Sequence, residues 1–155
     1  MIEIIINDEQ ITTKEIDNIL SKIEANDDNL FYTNVRTSKK EKEAIKHSHF
    51  ITARKTSYIR HAGGLSSLNE LIGLVRIIGD STYEYYITEV MVLPEYQGQG
   101  IGTKLMKATL EYCKKDGFMK IFLTAAPGRE KYYERFGFKK TKYTVMRILP
   151  KELEK

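Results

Sequence analysis

Short apolar runs alternate with stretches of helical periodicity along the chain, and the pattern predicts a single alternating α/β domain over residues 1–155, without internal repeat or low-complexity linker. Ile2 to Ile6 reads as a strand, uninterrupted in its apolar residues from Ile4 and closed by the turn-prone Asn7-Asp8. Thr12-x-x-Glu15 forms a capping box. Ile16, Ile19, Leu20 and Ile23 then recur at the spacing of one helical face until Asn26-Asp27-Asp28-Asn29 breaks the pattern. Ser38 to Ile45 predicts a short second helix, Phe50 to Arg54 a strand that extends through Tyr58-Ile59-Arg60, and His61 to Ser67 an exposed loop.

Leu71 to Ile78 and Tyr83 to Leu93 read as antiparallel strands around Gly79-Asp80-Ser81-Thr82. The next helix carries Ile101, Leu105, Met106, Thr109 and Cys113 along one side and ends at Asp116-Gly117. Lys120 to Thr124 predicts a strand, Gly128 to Phe136 a helix stopped by Gly137, and Phe138 to Leu149 a final strand or pair of strands. The segment from Tyr83 to Thr124 has the size of a βαβ crossover, which makes its two strands parallel neighbours.

Composition narrows the class. The 41% hydrophobic content supports a core, and the one cysteine, Cys113, excludes an internal disulfide. The N-terminal Met1-Ile2-Glu3-Ile4 lacks the basic stretch of a secretion signal, and no apolar run approaches the ~20 residues that span a membrane, so a cytoplasmic protein with no membrane partner is expected. A net charge of +4, with lysines interleaved with acids as in Lys39-Lys40-Glu41-Lys42-Glu43, argues against a nucleic-acid partner and suits an anionic ligand. His47, His49 and His61 supply no metal-ligand spacing, so no metal site is expected.

The candidate for an anion site is Leu93-Pro94-Glu95-Tyr96-Gln97-Gly98-Gln99-Gly100-Ile101-Gly102, set between a predicted strand and a predicted helix. Such a loop turns backbone N–H groups toward one anion with a helix N-terminus behind them. Spacing excludes a dinucleotide fingerprint, because Thr103 stands where its third glycine belongs, and excludes Walker A, because Leu105 follows Lys104 where Ser or Thr is required. The motif Gln97-Gly98-Gln99-Gly100-Ile101-Gly102 resembles the pyrophosphate signature of the GNAT superfamily of acyl-CoA-dependent N-acetyltransferases. Lys131-Tyr132-Tyr133-Glu134-Arg135-Phe136-Gly137-Phe138 is similar to that family's second signature, about thirty residues beyond the first.

The resemblance, specific from Leu71 to Phe138, implies a mixed sheet flanked by helices, whose two central parallel strands splay apart to admit acetyl-CoA as cosubstrate. It implies that the backbone near Met91 and Val92 holds the pantetheine arm, and that Gln97, Gly98, Gln99, Gly100, Ile101, Gly102 and Thr103 hold the pyrophosphate. It also implies a proton donor to the leaving thiolate at Tyr133, with Tyr132 in the place of a packing aromatic, and a carboxylate base at Glu89, an acid in an otherwise apolar strand; some relatives place that acid three residues earlier, where this chain has Tyr86. The family's frequent Asn after the fifth strand is absent from Thr124-Ala125-Ala126-Pro127-Gly128. Helical spacing puts Cys113 with core residues, so direct attack by a primary amine in a ternary complex is expected rather than an acyl-enzyme. The acceptor is a small-molecule or peptide amine, and a homodimer is compatible with the reading. The alternative is a domain that binds acyl-CoA without turnover.

Overall fold

The capping box reads directly into structure: the Thr12 hydroxyl accepts from the Glu15 N–H at 3.3 Å and the Glu15 carboxylate accepts from the Thr12 N–H at 2.9 Å, satisfying two donors at the start of the first helix. The computed structural model describes residues 1–23, 38–115, 117, 119–146 and 148. The elements are β1 (Ile2–Ile6), α1 (Thr13–Lys22), α2 (Ser38–Lys46), β2 (His49–His61), β3 (Gly64–Gly79), β4 (Glu84–Val92), α3 (Ile101–Lys115), β5 (Lys120–Leu123) and α4 (Glu130–Glu134), with a 3-10 turn at Pro94–Tyr96. Asn26 to Asn29, Asp116 and Leu149, named above as pattern breaks or ends, lie outside the described residues.

The strands form one sheet in the order β1-β2-β3-β4-β5, antiparallel except for the parallel pair β4–β5. That pair requires a crossover, and α3 supplies it. Leu105, Met106, Thr109 and Cys113 of α3 are buried against one sheet face, with Val75, Ile77 and Tyr85 among the buried residues of the strands. The other face carries α1, tied to the sheet through Arg54: its guanidinium donates to Asp8 and to Glu15, each at 2.6 Å, and the Thr52 hydroxyl donates to the same Asp8 oxygen at 2.6 Å. Among the described residues no helix is long and apolar enough to cross a membrane.

Two expectations are corrected. The loop expected from His61 to Ser67 is a turn of only two residues, Ala62 and Gly63, because Leu65, Ser66 and Ser67 find ladder partners in Arg60, Ile59 and Tyr58. β2 and β3 therefore continue past the sheet as a ribbon, residues 57–61 against 64–68, with Tyr58, Leu65 and Leu68 exposed. The strands expected from Phe138 to Leu149 are also absent: residues 138–146 and 148 adopt no strand. There the Thr141 hydroxyl bonds the Tyr143 N–H and C=O at 3.3 Å each, and such local bonds compete with a ladder.

Candidate active site

The ladder between β4 and β5 runs only from Glu84 and Lys120 to Ile87 and Leu123. β5 ends at Leu123, so residues 88–92 have no strand on that side among the described residues. The Val92 carbonyl accepts from Gln97 Nε2 at 2.9 Å, whereas the Met91 carbonyl lies 3.0 Å from where a Cβ on Gly73 of β3 would stand. Met91 thus turns its carbonyl toward β3, and alternation along the strand turns those of Val90 and Val92 toward the opening.

At the same point the register slips: Arg76 pairs with Glu89 but Ile77 pairs with Ile87, leaving Thr88 as the extra residue of a bulge. Opposed residues share a face, and Arg76 and Ile78 lie two apart on β3. Their partners Glu89 and Tyr86, three apart in sequence, are therefore brought to one face of the sheet. Glu89 is buried there, with Arg76 Nη1 at 3.5 Å, while Arg76 Nε donates to the Ser48 hydroxyl at 2.9 Å. Tyr86 shares a 2.6 Å hydrogen bond with the Thr124 hydroxyl just past β5.

The loop that follows β4 is held at its entrance. Tyr96 Oη accepts from Lys55 Nζ at 3.0 Å and donates to Glu70 Oε2 at 3.4 Å, Lys55 and Glu70 being opposed residues at the base of the ribbon. Gln99 Nε2 donates to the Glu95 carbonyl at 3.0 Å. Past these ties the backbone N–H groups of Gly98, Gln99, Gly100, Ile101, Gly102 and Thr103 make no hydrogen bond among the described residues. Gly98 and Gly100 sit at φ +73° and +78°, and the space where a Cβ would lie is open at both. Glycine is needed there for the backbone conformation. Six free donors around open space at a helix N-terminus fit a pyrophosphate.

α4 carries the two tyrosines to different places. Tyr133 packs its ring at 6.2 Å on Phe138, and burial, aided by Tyr132, pushes its phenol above the ordinary value despite Arg129 nearby. Tyr132 instead reaches α3. The Cβ that Gly102 lacks would stand 2.9 Å from the Tyr132 hydroxyl oxygen, and burial pushes that phenol above its ordinary value against the lowering effects of Arg135 and the Thr103 side chain. Gly102 is thus small because a phenol abuts it. Among the described residues no cluster of His, Cys, Asp and Glu could hold a metal, and Cys113 is buried. A recess between α1 and α2, lined by Ile11, Lys39, Lys42 and Lys46 among others, shares no residue with this site.

Residues 23–138 match the sequence profile of the acetyltransferase (GNAT) family. The chain belongs to that family. Among curated relatives of this GNAT chain, an uncharacterized N-acetyltransferase, ycf52-like, of Prochlorococcus marinus is 37% identical over 68 residues, 44% of this chain and 38% of the relative. N-alpha-acetyltransferase 30 of Schizosaccharomyces pombe is 39% identical over 61 residues, 37% of this chain and 41% of the relative. The matches thus span well under two thirds of either relative. Among solved structures, a GNAT-family acetyltransferase of Streptococcus pneumoniae TIGR4 superposes with a TM-score of 0.69 at 22% identity, covering 98% of this chain and 100% of that one. AAC(6')-Iy in complex with the bisubstrate analogue CoA-S-monomethyl-acetylneamine superposes at 0.60 with 14% identity, covering 96% and 98%. These likenesses establish the GNAT fold.

Within that fold, the sequence pattern put the glycine loop between β4 and α3 and the parallel pair β4–β5 on either side of the crossover, where the structure has them, and gave no sign of Arg76, the Lys55–Tyr96–Glu70 tie or the reach of Tyr132. Lys55 and Tyr96 stand 41 residues apart, and Arg76 and Glu89 meet through a register that a bulge resets, so no local pattern signals either pair.

Proposed function

We propose that this chain transfers an acetyl group from acetyl-CoA to a primary amine by direct attack in a ternary complex. The observation that carries the reading is the juxtaposition of the β4 stretch at 88–92, which has no strand beside it on the β5 side among the described residues, with six backbone N–H groups at 98–103 that make no hydrogen bond among those residues. When bound, acetyl-CoA supplies the activated acyl group. Val90 and Val92 offer backbone groups to its pantetheine arm, with Met91 between them, and Gly98 to Thr103 offer donors to its pyrophosphate, each well-placed bond to a charged group being worth ~1.5–3 kcal/mol. Gln97 braces the end of β4 through its bond to Val92, and Gln99 braces the turn before the glycines.

An acceptor amine with a pKa near 10.4 costs ~4–5 kcal/mol to present neutral at pH 7. Glu89, on the face shared with Tyr86, is the carboxylate placed to receive its proton directly or through a water. The Tyr133 hydroxyl keeps its proton because burial raises its pKa, which suits it to protonate the departing thiolate. A second reading, acyl-CoA binding without turnover, is favoured by one observation, the Arg76 guanidinium beside Glu89, which competes with an amine for the carboxylate.

A thiol-release assay with acetyl-CoA against a panel of amines separates the two. Release with at least one amine is expected. CoA-dependent thermal stabilisation without release on any amine would favour the binding module, and no CoA effect on melting would remove both. Gly100→Val forces a branched side chain into φ +78° beside the donors, so the CoA-dependent rise in melting temperature is expected to disappear in that variant.

A further inference from the structure

The Tyr132 hydroxyl is placed as no packing aromatic needs to be. It stands 2.9 Å from the Cβ position of Gly102, with a Val92 methyl 3.8 Å from that same position, so it lies where the end of β4 meets the first turn of α3. That turn carries the N–H groups of Ile101, Gly102 and Thr103, which make no hydrogen bond among the described residues. The ring has little freedom to leave: Tyr133 meets it edge-on at 5.0 Å, Phe136 at 5.4 Å, and the Arg135 guanidinium lies 4.8 Å over its face while Arg135 Nε donates to the Tyr132 carbonyl at 3.4 Å. A phenol fixed in this way is a preorganised donor, and the guanidinium stacked on it adds positive potential beside the ring.

We propose that Tyr132 is a cofactor-binding residue whose hydroxyl donates a hydrogen bond to the pyrophosphate oxygens gathered by the first turn of α3. The inference rests on the acetyl-CoA reading above. The phenol reaches this turn from α4, and Thr103 is on the turn itself. Burial holds the phenol above its ordinary value against the opposing effects of Arg135 and Thr103, so the O–H stays a donor across the physiological range. The adjacent Tyr133 takes no part in this contact. The two tyrosines divide the work, one on the phosphates and one at the sulfur.

The test is calorimetric titration of the full chain and of Tyr132→Phe with CoA and with dephospho-CoA, which keeps the pyrophosphate but lacks the 3′-phosphate. Phe preserves the ring contacts with Tyr133, Phe136 and Arg135. Loss of one hydrogen bond to a charged group predicts about tenfold weaker binding of both ligands. In 31P spectra at saturating CoA, a pyrophosphate resonance is expected to shift between wild type and Tyr132→Phe while the 3′-phosphate resonance stays in place. That signature separates direct contact from a loosened loop. Equal affinities in the two proteins, a loss confined to CoA, or weaker binding with unmoved pyrophosphate resonances would each overturn the assignment. If the wild type binds neither ligand, the acetyl-CoA reading fails first and this one with it.

Discussion

The Cβ that Gly102 lacks would fall 2.9 Å from the Tyr132 hydroxyl oxygen but 3.8 Å from the ring carbon that bears it. Removing the oxygen therefore turns a clash into an ordinary contact. Gly102→Ala is expected to destabilise the wild-type chain, since the packed ring cannot swing away, and to be neutral or stabilising by up to ~1 kcal/mol in a Tyr132→Phe background, where only the helix propensity of alanine remains. The non-additivity, measured by denaturant unfolding of the four proteins, should reach ~1–3 kcal/mol. Additive effects would show that the phenol does not abut Gly102 in solution.

Glu89→Gln is expected to lower stability as well as turnover, because it leaves Arg76 beside a neutral partner in a largely buried setting. At a separation of 3.5 Å the cost should sit near the lower end of the ~3–5 kcal/mol typical of breaking a buried pair. Arg76→Met in the Glu89→Gln background should recover part of it. As a base, Glu89 would also make the loss in kcat greatest at low pH with CoA affinity unchanged. A pH–rate profile parallel to that of the wild type would leave the residue a purely structural role.

Tyr133→Phe retains the ring contact with Phe138 and removes the proton that the thiolate needs. Turnover on a confirmed acceptor should fall ten-fold or more with CoA affinity unchanged, the order expected of a lost general acid. Because burial raises the phenol above its ordinary value of 10.0, no decline in wild-type rate attributable to this group is expected below pH 10. Wild-type turnover in Tyr133→Phe would assign thiolate protonation to solvent.

Acid should loosen the α1 face of the sheet first. Burial raises the Asp8 and Glu15 carboxyls, but hydrogen bonds from Thr52 and Arg54 to Asp8, and from Arg54 and Thr12 to Glu15, outweigh it and hold both below their ordinary values of 3.8 and 4.5. Groups lowered in the folded state contribute stability that is fully present above the unfolded values and is lost as pH falls through the folded ones. Unfolding free energy should thus be level above about pH 5 in respect of these two groups and fall below about pH 4. Asp8→Asn should lower the plateau and flatten the slope, as measured by urea unfolding at stepped pH.

What the sequence made legible, and what it did not, divides by the range of the interactions. The capping box of Thr12 and Glu15, the apolar face of α3 and the glycine loop are local patterns, and each appears where its spacing put it. Ser66 and Ser67 look like loop residues by composition, yet they are ladder residues because Ile59 and Tyr58 stand opposite them. Glu89 and Tyr86, which occupies the position where some relatives carry the acid, lie three residues apart and would face opposite ways in a regular strand; the bulge at Thr88 puts both on one face. Tyr132 looked interchangeable with phenylalanine because its hydroxyl gains a neighbour only when α4 folds against α3.

The ribbon of residues 57–61 and 64–68 hydrogen-bonds as a ladder only to itself among the described residues, with solvent on both faces over most of its length. Opening it leaves the pairing of β3 with β4 untouched, so its amide hydrogens should exchange through a local event while those around Val75 wait for the whole sheet to come apart. The chain therefore has two stabilities. A melting temperature reports the sheet, and the ribbon follows a shallower curve of its own, ending at the Lys55–Glu70 step where Tyr96 ties it to the glycine loop.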